Sequence, residues 1–466
     1  MPHATFLSVD LDVKAAEPLF RQLYDALSQA IQSGRIKADT QLPASRSYAR
    51  EIGVSRGTVL AAYDQLIAEG YAQSRRGAGV FATDIGTTAQ EWLPQAKSHY
   101  AKAPVANLVR PFSHGAPDMR AFPHSLWAQY VGRVARAEPS ALSEPADSFG
   151  DWPLRRAIAA HLRDWRGANV SPEQVVITAG AADALELVLQ TVAPRNAWVG
   201  LENPGYPMLA RVCKTLGYQP HWLAVDGQGA CLPRRDVALS VITPSCQYPL
   251  GGTMPIARRQ AHLAAANWLI EDDYDSEFRY TGRPVPALMS LDRELKVIYQ
   301  GSFSKVFSSG LRIGYLVVPE PLVAPMHAVL RQRGARASIM PQRVLARFIE
   351  DGAFHRHVRK MRRLYRGRRD AFLTGVKERF DGLLRFHDYG AGMSVALHFA
   401  IPLDVEHVQT NLRASGLECA PLGMYYGGGG AKDGLLCGFC AFNETEISLG
   451  LDQMIAPLTA SVKPLM

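Results

Sequence analysis

Nowhere in the 466 residues does an apolar run approach the ~18 positions a membrane-crossing helix needs, which excludes a helical membrane span. The start, MPHATFLSVDLDVKAAEP, carries acidic residues where a signal peptide has a basic start and an apolar run. Cysteine is scarce, six in all, and scattered. Cys437 and Cys440 do form a C-x-x-C, but in LLCGFCAF they sit in an apolar run with no second pair and no nearby His. That spacing reads as a buried strand rather than a zinc site. Internal repeats and low-complexity segments are also missing. These absences predict a cytoplasmic, reduced protein. Charge is only mildly unbalanced: Lys+Arg outnumber Asp+Glu 51 to 43, giving a net charge of +8. Such a balance permits nucleic-acid binding without demonstrating it. A composition 47% hydrophobic and 20% charged excludes a disordered chain. At ~150 residues per domain, the length leaves room for about three units.

The text divides unevenly. Residues 15–83 are short, helical segments closed by a Gly-rich ribbon. Residues 84–106 show no sustained period and carry Gly, Pro, Thr, Gln and Lys, the composition of a linker. From 107 onward, helical patterns alternate with the apolar runs VVITAG, AWVGLEN, SVITPS, WLIEDDYD, KVIYQGS and RIGYLVV. Strands interleaved with helices predict an α/β, doubly wound, mostly parallel sheet with ligands at the carboxyl ends of its strands.

The first unit has the order of a winged helix-turn-helix. Leu19, Leu23, Leu27, Ala30 and Ile31 form an apolar stripe on one helix that Gly34 terminates. LPASRSYAREIG predicts a second helix, with Ser45 as N-cap and Gly53 as its stop. VSRGTVLAAYDQLIAEG predicts a third, capped by Ser55 and burying Val59, Ala62, Tyr63, Leu66 and Ile67. YAQSRRGAGVFAT alternates, with glycines at its tip, as a β-hairpin wing does. Arg46 and Arg56 lie near helix N-termini, where orphan amides already favour phosphate, and arginine reads guanine edges in a bidentate manner. Ser45, Ser55 and Thr58 add hydroxyls for phosphates or bases. Arg75, Arg76 and Gly77 place charge and close backbone approach at the wing tip. Over residues 1–83 there are 9 basic against 8 acidic residues, so element order rather than net charge supports DNA binding over a solvated basic face.

The second unit holds a constellation suited to an aldehyde cofactor. In VIYQGSFSKVFSSGLRIGYLVV a strand end is followed by Ser302, Ser304, Lys305 and, seven positions on, Arg312. A lysine with a lowered pKa is a Schiff-base nucleophile, and hydroxyls with a guanidinium bind phosphate. In WLIEDDYDSEFRY, Asp272 and Tyr274 are two apart and share a strand face. A carboxylate for a pyridine nitrogen and a phenol for a ring oxygen are what pyridoxal 5′-phosphate (PLP) requires. In VVITAGAADAL the amides at Ala181 and Ala182 open a helix and point at an anion. Tyr206, in ENPGYPM, follows a strand and can stack on a ring. Singly, S-F-S-K suits a phosphate-binding lysine or a surface loop, and the acid run suits Mg²⁺ or a solvated strand end. Four such pieces at successive strand ends point to PLP.

LPASRSYAREIGVSRGTVLAAYDQLIAEGYAQSRRGAGVFA resembles the winged-helix domain of GntR-family transcription factors. The remainder resembles fold-type I, class I aminotransferases, and in TPSCQYPLGGTM, EDDYDSEFRY, GSFSKVFSSGLRIGYLVVP and FHRHVRKMRRLYRGRRD the MocR subfamily that fuses the two. The resemblance spans nearly the whole chain. It implies a large subdomain at about 145–330, a smaller α+β subdomain at about 331–466 and a head-to-tail homodimer. It assigns operator DNA to Arg46, Arg56 and Thr58, supported by Ser45, Ser55 and Gly77. It assigns the Schiff base to Lys305, the pyridine nitrogen to Asp272, the ring hydroxyl to Tyr274, stacking to Tyr206, and phosphate to Ser302, Arg312 and the Ala181 and Ala182 amides.

Three departures bear on the ligand. Cys246 stands where the subfamily often has His, and Ala182 where it often has Gln. No arginine follows Arg413, although aminotransferases of this fold clamp a substrate carboxylate with an arginine of the small subdomain. The matching stretch offers only Lys432, a point charge without the planar fork. The expected function is therefore a PLP-dependent regulator rather than an ordinary transaminase, sensing PLP itself or an amine. The missing arginine inclines the reading to PLP, since an amine such as γ-aminobutyrate or taurine needs an anion clamp that the sequence does not assign. An active aminotransferase with a DNA-binding head and a PLP-free dimerisation scaffold are the alternatives. The run 355–369, with eight Lys or Arg, reads as one charged face of a helix whose seam is Val358, Met361 and Tyr365, or as a further DNA contact.

Overall fold

The structure, a computed structural model, describes residues 9, 11–12, 15, 17–85, 109–139, 147–282, 286–427 and 433–462. Beyond residue 85 the predicted linker lies outside the described residues, as does Lys432. The chain separates into two compact units, Met1–Asn107 and Leu108–Met466.

In the head, α1 (Leu19–Gln32), α2 (Ser45–Glu51) and α3 (Arg56–Ala68) precede an antiparallel hairpin of β1 (Ala72–Arg75) and β2 (Gly79–Ala82). Leu23, Leu27 and Ile31 of α1 meet Val59, Tyr63 and Leu66 of α3 in one core that also takes Tyr48 and Ala82. Burying each large apolar side chain stabilises the unit by roughly 1.5–3 kcal/mol, which is how segments this short stay helical. Ser55 caps α3, its Oγ accepting from the Thr58 amide at 3.1 Å. Ser45 does not cap α2. Ala44 occupies that position without a side-chain bond, and Ser45 is the first helical residue. Its hydroxyl instead meets the side chain of Arg56.

In the body, α4 (His124–Ala137) and α5 (Trp152–Arg166) lead into an eight-stranded mixed sheet. The strands are β3 (Val175–Thr178), β4 (Trp198–Asn203), β5 (Gln219–Asp226), β6 (Gly229–Ala230), β7 (Leu239–Ile242), β8 (Leu269–Asp273), β9 (Val297–Ser302) and β10 (Gly314–Val317), in the order β3-β10-β9-β8-β7-β4-β5-β6. Pairs β9·β8, β8·β7, β7·β4 and β4·β5 are parallel, whereas β10 runs antiparallel to both β3 and β9. Helices α6 (Ala181–Val192), α7 (Pro207–Thr215) and α8 (Ile256–Ala265) connect the parallel strands. Buried on both faces, β3, β7 and β10 are continuously apolar or nearly so, as parallel-type strands are.

After α9 (Phe303–Val306), α10 (Glu320–Arg333) and α11 (Ile339–Glu350), the chain forms α12 (Ala353–Arg379), 27 residues long. Val358, Met361 and Tyr365 of α12 are buried. The basic run is not uniformly solvated. Arg368 is buried against Asp118, and Arg362 donates to the Glu277 carbonyl at 2.7 Å. A small antiparallel sheet, β11 (Leu384–Arg385), β12 (Ser394–Phe399), β14 (Gly434–Gly438) and β13 (Ala420–Pro421), packs with α13 (Val405–Ala414) and α14 (Glu444–Thr459). Cys437 lies in β14 and, like Cys440 just after it, is buried.

Candidate functional site

At the carboxyl ends of β4, β7, β8 and β9 lies a cleft of about 490 Å³, within the range of small-molecule sites. Strand parity builds its floor. In β8, Glu271 and Asp273 turn to one face, where both meet buried Arg166, at 3.5 and 3.2 Å. Asp272 turns to the other and lines the cleft. Its carboxyl accepts from Gln300 Nε2 at 2.8 Å, and burial pushes its pKa up to about 7. A buried acid aimed into an open cavity with one amide donor calls for a cationic or N–H partner.

Lys305 stands on α9, directly after β9. Its Nζ donates to the Gly115 carbonyl at 2.9 Å, and burial lowers its pKa below the ordinary 10.5, with Asp275 opposing the shift. Ser302 caps α9, accepting from the Ser304 amide at 3.1 Å, and both serines line the cleft. α6, which also borders the cleft, opens at Ala181, preceded by Gly180 at φ 108°, a conformation that favours glycine. Tyr206 begins α7, 42% exposed, at the head of an aromatic wall. Tyr248 is edge-on to Tyr206, Tyr274 and Tyr425, at 5.9, 5.5 and 5.4 Å. The Tyr274 hydroxyl reaches Cys246 Sγ at 3.6 Å, so the thiol that replaces the expected His is in contact with a cleft residue.

Asp272, Tyr274, Tyr206, Ser302, Ser304, Lys305 and Ala181 thus come together in one lining. Ala182 and Arg312 are not part of it. Ala182 is the second residue of α6, so only its amide follows the helix opening. Arg312, at φ 49° beyond a turn at Ser309–Leu311, is exposed. Sequence reasoning missed His114, Tyr425, Glu202 and Thr243. His114 comes from before the sheet, lies 3.2 Å from the Tyr425 hydroxyl, and is held towards its neutral form by burial and by Lys305. Glu202, the last residue but one of β4, accepts from Thr243 Oγ1 at 2.5 Å and Gln247 Nε2 at 3.0 Å, and its pKa is raised to about 7 by burial. The donor set fits PLP: a lysine amine with depressed pKa, a buried acid awaiting a ring nitrogen, and a helix opening beside two hydroxyls.

The head carries its own polar face. Ser45, Ser55, Arg56 and Thr58 lie together at the amino ends of α2 and α3, with Arg56 Nε 3.4 Å from Ser45 Oγ and Ser55 Oγ 2.9 Å from Thr58 Oγ1. Arg46 is exposed on the first turn of α2. In the hairpin, Arg76 and Gly77 are exposed at the turn, Gly77 at φ 76°. Arg75 is already engaged, pairing with Asp39 and lying 4.4 Å over the Phe81 ring.

These two units define a winged-helix protein joined to a fold-type I aminotransferase body. The family of bacterial regulatory proteins of the gntR type matches residues 19–82, and that of class I and II aminotransferases matches 127–400. The probable rhizopine catabolism regulatory protein MocR of Rhizobium meliloti is 33% identical over 465 residues, covering 95% of this chain and 94% of that protein. The HTH-type pyridoxine biosynthesis transcriptional regulator PdxR of Corynebacterium glutamicum is 36% identical over 439 residues, covering 91% and 93%. The α-aminoadipate aminotransferase LysN of Thermus thermophilus superposes with a TM-score of 0.69 at 24% identity, over 76% of this chain and 92% of its own, which shows the body's fold. The chain belongs to the MocR-type branch of the gntR family of transcriptional regulators.

Proposed function

We propose that this protein binds operator DNA through residues 15–83 and regulates transcription in response to PLP, or to an amine that reacts with it, held in the body at 107–466. The observation that carries the reading is the cleft in which Lys305, Asp272, Tyr274, Tyr206, Ser302, Ser304 and Ala181 converge, in a chain whose other unit is a winged helix. When bound, PLP supplies an aldehyde that captures primary amines and a ring that withdraws electrons. Lys305 is the residue that carries it, its amine pKa lowered by burial. Asp272 takes the ring nitrogen, Tyr274 the ring hydroxyl, and Tyr206 lies against the ring. Ser302, Ser304 and the amides opening α6 take the phosphate, with Arg312 reaching them from the adjoining turn. In the head, Arg46, Arg56 and Thr58 make the direct contacts, with Ser45, Ser55, Arg76 and Gly77 in support. Arg75 contributes less. A head-to-tail homodimer acting in the cytoplasm is part of the same reading.

The signal shifts an equilibrium only through unequal affinity for two states. The test is binding to DNA from the protein's own upstream region by apo and PLP-loaded protein, at fixed salt because phosphate contacts dominate affinity. A difference between the two forms makes PLP the signal. Equal specific binding makes it a fixed group and moves the signal to amines. Failure of both forms to bind any upstream site, or sustained turnover of an amine donor with a keto acid, would overturn the regulator reading.

A further inference from the structure

A second, smaller cavity of about 20 Å³ adjoins the cleft, with Lys305, Tyr274 and Tyr248 as shared walls. Among the described residues its lining holds one acid, Asp275, and one base, Lys305. Asp275 is 3% exposed, and burial pushes its carboxyl well above the usual carboxylate range. It makes no ion pair among the described residues, because the other charged groups around it are occupied. Arg166 is paired with Asp273 and Arg368 with Asp118, while Arg279 donates to the Ser245 carbonyl and to Thr253 Oγ1. Glu277 lies 3.5 Å from His161 Nε2. The thiols of Cys246 and Cys440 and the phenols of Tyr248, Tyr274 and Tyr280 are held towards their neutral forms by burial. His114, which faces Lys305, is likewise held towards neutrality. Two glycines in the lining leave the polar ends uncovered. A Cβ on Gly115 would overlap Lys305 Nζ, and one on Gly392 would stand 3.4 Å from Asp275 Oδ2.

A buried carboxyl with no cation against it stays protonated, and a buried amine with no anion against it stays unprotonated. Brought together they reverse this, since carboxylate and ammonium each offset the other's desolvation. We propose that Asp275 is the positioning residue of Lys305, taking its ammonium form into the second cavity whenever the amine is not bonded to the cofactor. This rests on the PLP reading above. The exchange balances within the pair. One proton leaves the Asp275 carboxyl for the Lys305 nitrogen, giving carboxylate and ammonium, and its return gives two neutral groups. In the neutral arrangement the lysine's lone pair is free to take the cofactor's aldehyde carbon. When another primary amine takes over that carbon, its N–C bond forms as that of Lys305 breaks. The Lys305 nitrogen then leaves with the two protons the incoming amine gives up, and the third comes from Asp275. Asp275 thereby sets how readily an amine ligand displaces Lys305, without touching ligand or cofactor.

The test compares Asp275→Asn with wild type in two measurements on the full chain. In the first, covalent PLP uptake by the apo protein, trapped with borohydride, is followed against pH. Its midpoint should fall by about one pH unit in the variant, because the amine loses the carboxylate that favours its ammonium form. In the second, butylamine displaces Lys305 from the PLP-loaded protein near neutral pH, followed by the cofactor's absorbance. The variant should need about tenfold more butylamine for half-saturation. Asp275→Glu keeps the charge and should stay within about twofold of wild type in the butylamine titration. Asp275→Ser is the second uncharged variant should Asp275→Asn not fold. An unchanged midpoint and butylamine requirement in a folded uncharged variant overturn the proposal, as does an equal shift in Asp275→Glu. Loss of PLP uptake in an uncharged variant with unchanged circular dichroism also overturns it, since Asp275 would then hold the cofactor itself. A wild type that takes up no PLP instead overturns the reading on which the proposal rests.

Discussion

Replacing Arg166 by methionine asks whether the strand end that carries Asp272 is held from behind by charge. Arg166 closes α5 and is buried, with Nη2 2.8 Å from Ser245 Oγ and its two acidic partners, Glu271 and Asp273, both on β8. Methionine keeps much of the volume and removes the charge, leaving two buried carboxylates on one strand face. Breaking a buried pair from one side costs about 3–5 kcal/mol. With an unfolding entropy near 2.1 cal/mol/K per residue over a body of roughly 360 residues, that loss lowers the melting midpoint by about 4–7 °C. The effect has a pH signature. Burial raises the Glu271 pKa and Arg166 is the main influence opposing it, so the folded-state pKa climbs further in the variant. A carboxyl raised in the folded state costs nothing below its unfolded pKa and costs stability as pH rises through the folded value. The gap between variant and wild type should therefore be small near pH 5 and widen towards pH 8. Thermal melts of the apo protein across that interval measure it. Adding Glu271→Gln and Asp273→Asn should recover part of the loss. A variant within about 1 °C of wild type throughout, or a gap that narrows as pH rises, refutes the reasoning.

Lys305→Ala should abolish covalent PLP uptake, measured by cofactor retained after borohydride reduction and gel filtration; retention at the wild-type level would count against Lys305 as the attachment point. In the wild type, uptake should accelerate with pH and reach half its maximal rate below the 10.5 of an ordinary lysine, because burial depresses the amine. Arg56→Ala should weaken operator binding by about 1–3 kcal/mol in fluorescence anisotropy. Arg75→Ala should cost less, since that side chain must give up Asp39 and Phe81 before it can reach DNA. Ser55→Ala removes the cap on α3 and should cost the head about 1 kcal/mol, visible as faster hydrogen exchange at the Thr58 amide.

Much of this architecture follows from local pattern. The i, i+4 stripe of Leu23, Leu27 and Ile31 and the buried face of α3 are legible because 3.6-residue periodicity and burial agree there. Two-residue periodicity likewise separates Asp272 from Asp273 in LIEDD before any tertiary contact is known. Strand direction is different. RIGYLVV reads as a strand, yet alternation says nothing of its orientation, and β10 runs against its neighbours. The signal is in the spacing: eleven residues separate β9 from β10 and hold only the one-turn helix α9 and a turn at Ser309–Leu311, short of the crossover of about a dozen residues or more that a parallel return demands. Helix boundaries carry a similar ambiguity at Ser45, where a good capping residue sits one position inside the helix and gives its hydroxyl to Arg56.

The cleft was legible only where its residues cluster in sequence. Ser302, Ser304 and Lys305 announce themselves in one run, whereas His114 reaches Tyr425 across more than three hundred residues, and no local pattern can pair them.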